Sequence, residues 1–256
     1  MLTKILETKR EEIASLTIPD PYQGERRSLK AYLTRRGSQS HVIAEVKKAS
    51  PSKGVIREDF NPLEIALSYE SGGADAISVL TDVTYFQGNR EYLTEIKKHV
   101  TIPVLRKDFI VDPLQVEESE ALGADAILLI AAALEPEKLK ELYDLAYNKG
   151  MECLVEVHSS QELEELMNVF TPEIIGVNNR DLSTFVTSLE VTEQTGSLIP
   201  AESVFVSESG IHEPKDLERV AKAGANAVLV GESLMKQNDP GEAVKRLKGE
   251  SLHGED

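Results

Sequence analysis

The sequence predicts an α/β protein, a closed (β/α)8 barrel of the TIM type with an N-terminal helical extension. Three observations lead there. Eight short runs of aliphatic and β-branched residues recur along the chain, each followed by an amphipathic stretch. The stretches between them carry helix punctuation, with Pro near the start and Gly near the end. The tetrad G-A-[DN]-A occurs at 73–76, 123–126 and 224–227, each time where a helical pattern gives way to the next apolar run. Eight strand-then-helix units in 256 residues suit a parallel barrel, which takes about 250 residues.

The apparent strands are HVIAEV (41–46), AISVL (76–80), IPVLR (102–106), DAILLI (125–130), MECLVEV (151–157), EIIGV (173–177), SVFVS (203–207) and NAVLV (226–230). Helical patterns such as PLEIALSYESGG, PLQVEESEALGA, PEKLKELYDLAYNKG and PKDLERVAKAGA lie between them. An open doubly wound sheet is the alternative. It calls for a Gly-rich turn after the first strand, where this chain reads KKASPSKG. Residues 1–40 hold two helical stretches, Leu2–Leu16 and Ser28–Arg36, joined by TIPDPYQGERR. They read as an extension packed on the barrel, which leaves residues 1–256 as one barrel domain. The final GESLHGED is polar and reads as a frayed end.

Composition excludes several classes. Hydrophobic residues are 41% and charged residues 28%, an ordinary globular balance. No apolar run approaches the roughly 20 residues of a membrane span. The opening MLTKILETKREEIASL lacks the apolar core of a signal peptide, so a cytoplasmic location is expected, with no membrane partner. The formal net charge of −16 disfavours nucleic acid. Much of the acid sits in patterns such as SSQELEEL, where a solvated helix face explains it. Cys153 is the sole cysteine and sits in a strand pattern, so it reads as a buried packing thiol. The five histidines form no HxH or HExxH pair, and no metal site is expected from them. A monomer is the expected state. A small anionic substrate would need a local cluster of cations and backbone N–H groups to overcome the global charge.

Barrel enzymes carry their chemistry at the C-terminal ends of the strands. Here those ends read Glu45-Val46-Lys47, Arg106-Lys107-Asp108, Glu156, Asn178-Asn179-Arg180-Asp181 and Glu208-Ser209-Gly210. Residues two apart on a strand share a face, roughly 6–7 Å apart. Glu45 and Lys47 therefore point the same way, into the mouth if Ala44 and Val46 pack on helices. The same parity turns Glu156 inward with Leu154 and leaves Cys153, Val155 and Val157 outward. A single Lys–Glu pair reads as an ordinary ion pair. Two lysines, three glutamates and an asparagine at one mouth do not, because gathering like charges costs stability. The loops after the last two strands, SESGI and VGESLM, suit a phosphate. Gly210 and Gly231 allow close backbone approach, and a short helix from Glu232 would offer N–H groups.

In this order, these residues resemble the indole-3-glycerol-phosphate synthases. Ile43–Gly54, IAEVKKASPSKG, looks like that family's first-strand signature. SVLTDVTYFQG, LRKDFIVDPLQV, LVEVHS, IGVNNRDL, VSESGI and VGESLM follow, each like its family counterpart. The similarity runs from about Leu29 to Met235, and the leading helices suit the family's extension. The resemblance implies a cofactor-free enzyme that closes and decarboxylates an anthranilate-derived sugar phosphate. It implies Lys107 as general acid toward the substrate ketone, Glu156 as its proton-transfer partner, and Lys47 on the substrate carboxylate, with a possible acid role in dehydration. It further implies positioning by Glu45, Asn178 and Arg180, a hydroxyl from Ser209, and a contact from Glu208. Phosphate falls to Ser50 and to backbone groups at Gly210, Gly231 and Glu232, with the Glu232 carboxylate turned outward to avoid repulsion. Leu80, Phe86, Phe109 and Ile130 would flank the aromatic ring, core packing being the alternative for these four.

For an acid at neutral pH, Lys107 needs a lowered pKa. Desolvation, Lys47 and Arg180 push it down, while the glutamates in the same mouth oppose them. Phosphoribosylanthranilate isomerase, another phosphate-binding barrel, is a competing reading. Its chemistry calls for a Cys/Asp pair, and Cys153 lies outward. A catalytically silent barrel is a third, and would be marked by loss of Lys107 or Glu156.

Overall fold

The parallel strands close into a barrel because each is apolar on both faces, one turned to the interior and one to a surrounding helix. The computed structural model describes residues 1–36, 40–182 and 184–249; the expected frayed tail at 250–256 lies outside the described residues. An initial helix α1 (Leu2–Ala14) and a short α2 (Leu29–Leu33) precede β1 (His41–Val46). A two-residue hairpin, β2 (Ala49–Ser50) and β3 (Gly54–Val55), lies within the loop that follows. Then come α3 (Pro62–Ser71), β4 (Ala76–Leu80), α4 (Arg90–His99), β5 (Val104–Lys107), α5 (Pro113–Leu122) and β6 (Ala126–Ile130). The chain continues through α6 (Pro136–Asn148), β7 (Glu152–Val157), α7 (Ser160–Met167), β8 (Ile174–Asn178) and α8 (Glu190–Gly196). It ends with β9 (Val204–Glu208), α9 (Pro214–Lys222), β10 (Ala227–Val230), α10 (Glu232–Met235) and α11 (Pro240–Leu247).

Eight of these strands form the closed barrel β1-β10-β9-β8-β7-β6-β5-β4, all neighbours parallel. Ile43, Leu105, Leu128, Leu154, Ile174 and Val206 fill the interior, while Val42, Ala44, Val46, Cys153, Val155 and Val157 pack outward among the helices. The parity read from the sequence therefore holds on β1 and β7. The third strand starts at Val104 where 102 was expected, because Pro103 has no N–H to give a ladder. The leading helices are shorter than expected, since Ser28 is the N-cap of α2 and Thr34 its C-cap.

The repeated tetrad has a physical purpose. Its glycines take left-handed backbone, with φ of 87°, 89° and 102° at Gly73, Gly123 and Gly224. Its third residue then bonds the start of the neighbouring strand. Val42 N–H donates to Asp75 (2.9 Å), Val104 N–H to Asp125 (2.8 Å) and Phe205 N–H to Asn226 (2.8 Å). Asp125 also accepts both bonds from the fully buried Lys97, at 2.7 and 2.9 Å.

The N-terminal segment spans both ends of the barrel. Lys9 of α1 reaches Asp82 (2.7 Å) and Asp108 (3.0 Å), just beyond β4 and β5 at the mouth. Leu29 and Leu33 of α2 join the interior core from the opposite end. There Ser28 Oγ and Lys30 N–H donate to Glu152, at 2.6 and 2.8 Å.

Candidate active site

At the C-terminal ends of the strands lies a cavity of about 350 Å³. All sixteen residues singled out from the sequence line it: Glu45, Lys47, Ser50, Leu80, Phe86, Lys107, Phe109, Ile130, Glu156, Asn178, Arg180, Glu208, Ser209, Gly210, Gly231 and Glu232. Barrel register brings them together. Ile130 pairs with Glu156, Glu156 with Gly176 and Asn178 with Glu208 across successive strands. Lys107 Nζ lies 3.0 Å from Glu156 Oε2 and 3.6 Å from Glu208 Oε2. Lys47 donates directly to Glu45, two residues back on the same face.

The electrostatics correct one expectation. Burial does push the Lys107 ammonium down, but Glu156, Glu208 and Glu45 outweigh it and hold its pKa above the ordinary lysine range. The predicted downward push from Lys47 and Arg180 loses to three carboxylates. Two of those carboxylates are driven apart. Burial raises both, but Lys107 and His158 hold Glu156 well below the usual carboxylate range. Burial and the neighbouring Glu156 charge push Glu208 up to about 8. One mouth thus contains an ionised and a protonated carboxyl near neutral pH, the division of labour acid–base catalysis uses. Glu208 Oε1 is buried without a hydrogen-bond partner. Gly176 makes room for it, since a Cβ there would collide with that oxygen.

The loops after β9 and β10 line one end of the cavity. Ser209 and Gly210 are both left-handed, with φ of 66° and 81°, a strained arrangement for the serine. Buried Asn179 fixes that turn: its Nδ2 donates to Ser207 Oγ and to the carbonyls of Glu208 and Ser209, each at 3.0 Å. Arg180 donates to Ser52 Oγ at 2.8 Å. The Glu232 carboxylate does not turn outward as expected. It stays at the cavity wall, 2.6 Å from Lys236 and 3.5 Å from both Lys53 and Arg180. Partial burial works against its charge, but these cations prevail and bring its pKa down to about 2. At the opposite end Phe86 and Phe109 stand 6.1 Å apart, beside Leu80 and Ile130.

Some residues escaped the sequence reading. Lys53, Met1 and the α1 residues Leu2 and Ile5 also line the cavity. Nothing in strand logic points to a helix that precedes the barrel. His158, packed against Glu156, was legible in principle, because it follows Glu156 by two and shares its parity. Cys153 faces away from the cavity, and burial pushes its thiol well up.

A parallel barrel with lysines and glutamates paired at its mouth, apolar residues on one side and a loop cluster with Lys53 and Arg180 on the other fits a (β/α)8-barrel enzyme for a phosphorylated small molecule. The family model for indole-3-glycerol phosphate synthase matches residues 2–247. The chain is 59% identical over 251 residues to the indole-3-glycerol phosphate synthase of Shouchella clausii (strain KSM-K16), covering 98% of each. It is equally identical over 251 residues to that of Geobacillus thermodenitrificans (strain NG80-2), covering 98% of this chain and 97% of the relative. Among solved structures, a 3-hexulose-6-phosphate synthase superposes with a TM-score of 0.62 at 16% identity, over 82% of this chain and 98% of that one, a likeness of fold alone. The chain belongs to the indole-3-glycerol phosphate synthase family, carboxy-lyases of tryptophan biosynthesis.

Proposed function

We propose that the mouth of this barrel converts 1-(2-carboxyphenylamino)-1-deoxyribulose 5-phosphate to indole-3-glycerol phosphate with the following division of roles. The observation that carries it is Lys107, seated between Glu156 and Glu208 on the cavity wall. The aromatic ring lies among Leu80, Phe86, Phe109 and Ile130. Lys47, braced by Glu45, takes the substrate carboxylate. The phosphate is held by Ser50 and by backbone N–H groups at Gly210, Gly231 and Glu232, with Arg180 supplying charge.

The ring carbon attacks the ketone, and negative charge grows on the ketone oxygen. Lys107 stabilises it and then protonates it. An ammonium whose pKa is raised holds its proton in the resting site, but an alkoxide is basic enough to take it. Loss of CO2 restores aromaticity. Glu156, ionised, takes a proton from the ring carbon beside the nitrogen, whose electron pair forms the ring double bond as the C–O bond breaks. Glu208, protonated, gives its proton to the departing hydroxyl so that it leaves as water, with Ser209 and Asn178 orienting it. The whole chain acts as one barrel domain with its helical extension. It works as a monomer in the cytoplasm on a small anionic sugar phosphate, with no nucleic-acid partner, in keeping with its net charge of −16. No helix among the described residues is long and apolar enough to cross a membrane.

The test is to mix purified protein with the carboxyphenylamino-deoxyribulose phosphate in the presence of EDTA and follow indole fluorescence. A rising signal is expected. A flat trace from folded protein that still binds the compound would favour a silent barrel, and would overturn these roles.

A further inference from the structure

His158, its side chain 8% exposed, sits where β7 gives way to α7 and takes no part in the reaction described above. Its ring lies between two carboxylates. Nε2 stands 3.2 Å from Glu156 Oε1, an ion-pair separation reached off the straight N–H line, so that Nε2 has no formal hydrogen-bond partner. Nδ1 stands 3.3 Å from Glu162 Oε2, and the same oxygen accepts the His158 backbone N–H at 2.8 Å. Glu162 is itself fixed in the first turn of α7, where its N–H donates to the Ser159 hydroxyl. A continuous row of alternating charge results: Lys107, Glu156, His158, Glu162.

We infer that His158 is a positioning residue: held in place by Glu162, its imidazolium turns one oxygen of Glu156 toward itself and leaves the other on Lys107. A buried carboxylate with a cation on each oxygen has one rotamer and one charge state, which is what a proton acceptor beside Lys107 requires. Between its two carboxylates the ring is pushed up to about 10 and stays charged across the neutral range. The charged groups that face this row are few. Lys107 comes from β5, Glu208 from β9 and Glu45 from β1, while β6 and β8 bring Ile130 and Gly176 beside Glu156. The turn at Ala131–Ala133, which packs against β7 and α7, brings only alanines. Among the described residues, only Lys107 and His158 form an ion pair with Glu156, and Lys107 is on the other oxygen.

The inference rests on the reading of Glu156 as a proton acceptor, and the experiment separates the two. The pH dependence of kcat and KM is measured for His158→Asn, Glu162→Gln and Glu156→Gln, with urea unfolding to normalise the folded fraction. Without the imidazolium, Glu156 takes up a proton at higher pH. His158→Asn is therefore expected to lose about tenfold in kcat, to keep KM within about twofold, and to move the acidic limb of the kcat profile upward. Glu162→Gln moves the limb the same way by less, and carries the test if His158→Asn fails to fold. Glu156→Gln falls much further in kcat. A folded His158 variant with unchanged kcat and an unmoved limb, beside an inactive Glu156→Gln, overturns the positioning role alone. An active Glu156→Gln overturns both readings.

Discussion

Lys107 is held charged by its neighbours, and this determines what its removal does. Lys107→Ala is expected to lower kcat at least about a hundredfold with KM little changed, because the proposed phosphate and ring contacts fall to other residues, and to lower stability in urea because Glu156 and Glu208 lose their shared cation. A variant keeping most of the wild-type kcat would refute its role as acid. Glu208 supplies a second handle. With its pKa near 8, its protonated form prevails below that pH and is lost above it. Turnover should therefore fall as pH rises through about 8, and Glu208→Gln should flatten this basic limb in a pH–kcat profile. The identities of these groups were legible because strand parity and barrel architecture both assign them to the mouth. Their protonation was not. Whether Lys107 moves up or down depends on how many carboxylates gather around it, and only the closed register of β1, β5, β7 and β9 sets that.

The elements that hold the site are stapled by buried charge. Lys9 joins α1 to Asp82 and Asp108, and Asp82 also accepts the backbone N–H groups of Tyr85 (2.7 Å) and Phe86 (3.0 Å). One lysine thus links the first helix to the loop that places Phe86 on the cavity wall. Lys9→Met leaves two buried carboxylates short of a partner, and is expected to cost about 3 kcal/mol in urea unfolding. It should also raise KM more than it lowers kcat. The tetrad was visible as a repeat, and its glycines as helix ends. Its acidic or amide residue was not, because the bond it makes goes to a strand distant in sequence. Local punctuation likewise misjudged the third strand by two residues, since Pro103 still reads as part of a β-branched run.

For the molecule as a whole, the shifted groups set a pH window for stability. Asp75, Asp108 and Glu156 are lowered by folding. Their stabilisation is present above the ordinary carboxylate range and is lost as pH falls through their folded values. His158 is raised from 6.5 to about 10, so its contribution is complete below 6.5 and fades as pH climbs toward 10. Glu208, raised from 4.5 to about 8, acts in the same direction, favouring the fold below 4.5 and losing that benefit by about 8. The midpoint of thermal unfolding should be highest at about pH 5–6 and decline on the alkaline side by pH 9. A midpoint that rises steadily from pH 6 to pH 9 would show that these buried groups do not govern stability.

The segment that ties both ends of the barrel together also has a history in time. Ser28 must wait for Glu152, 124 residues downstream, and Lys30 for Glu173, 143 residues downstream. At ribosomal speeds of roughly 5–20 residues per second, the first two helices are exposed on the nascent chain for on the order of ten seconds. Leu29 and Leu33 spend that interval without the interior they finally fill. The first two helices are thus made well before the strands that secure them, and the apolar end of a half-built barrel stays open to chaperones until those strands arrive.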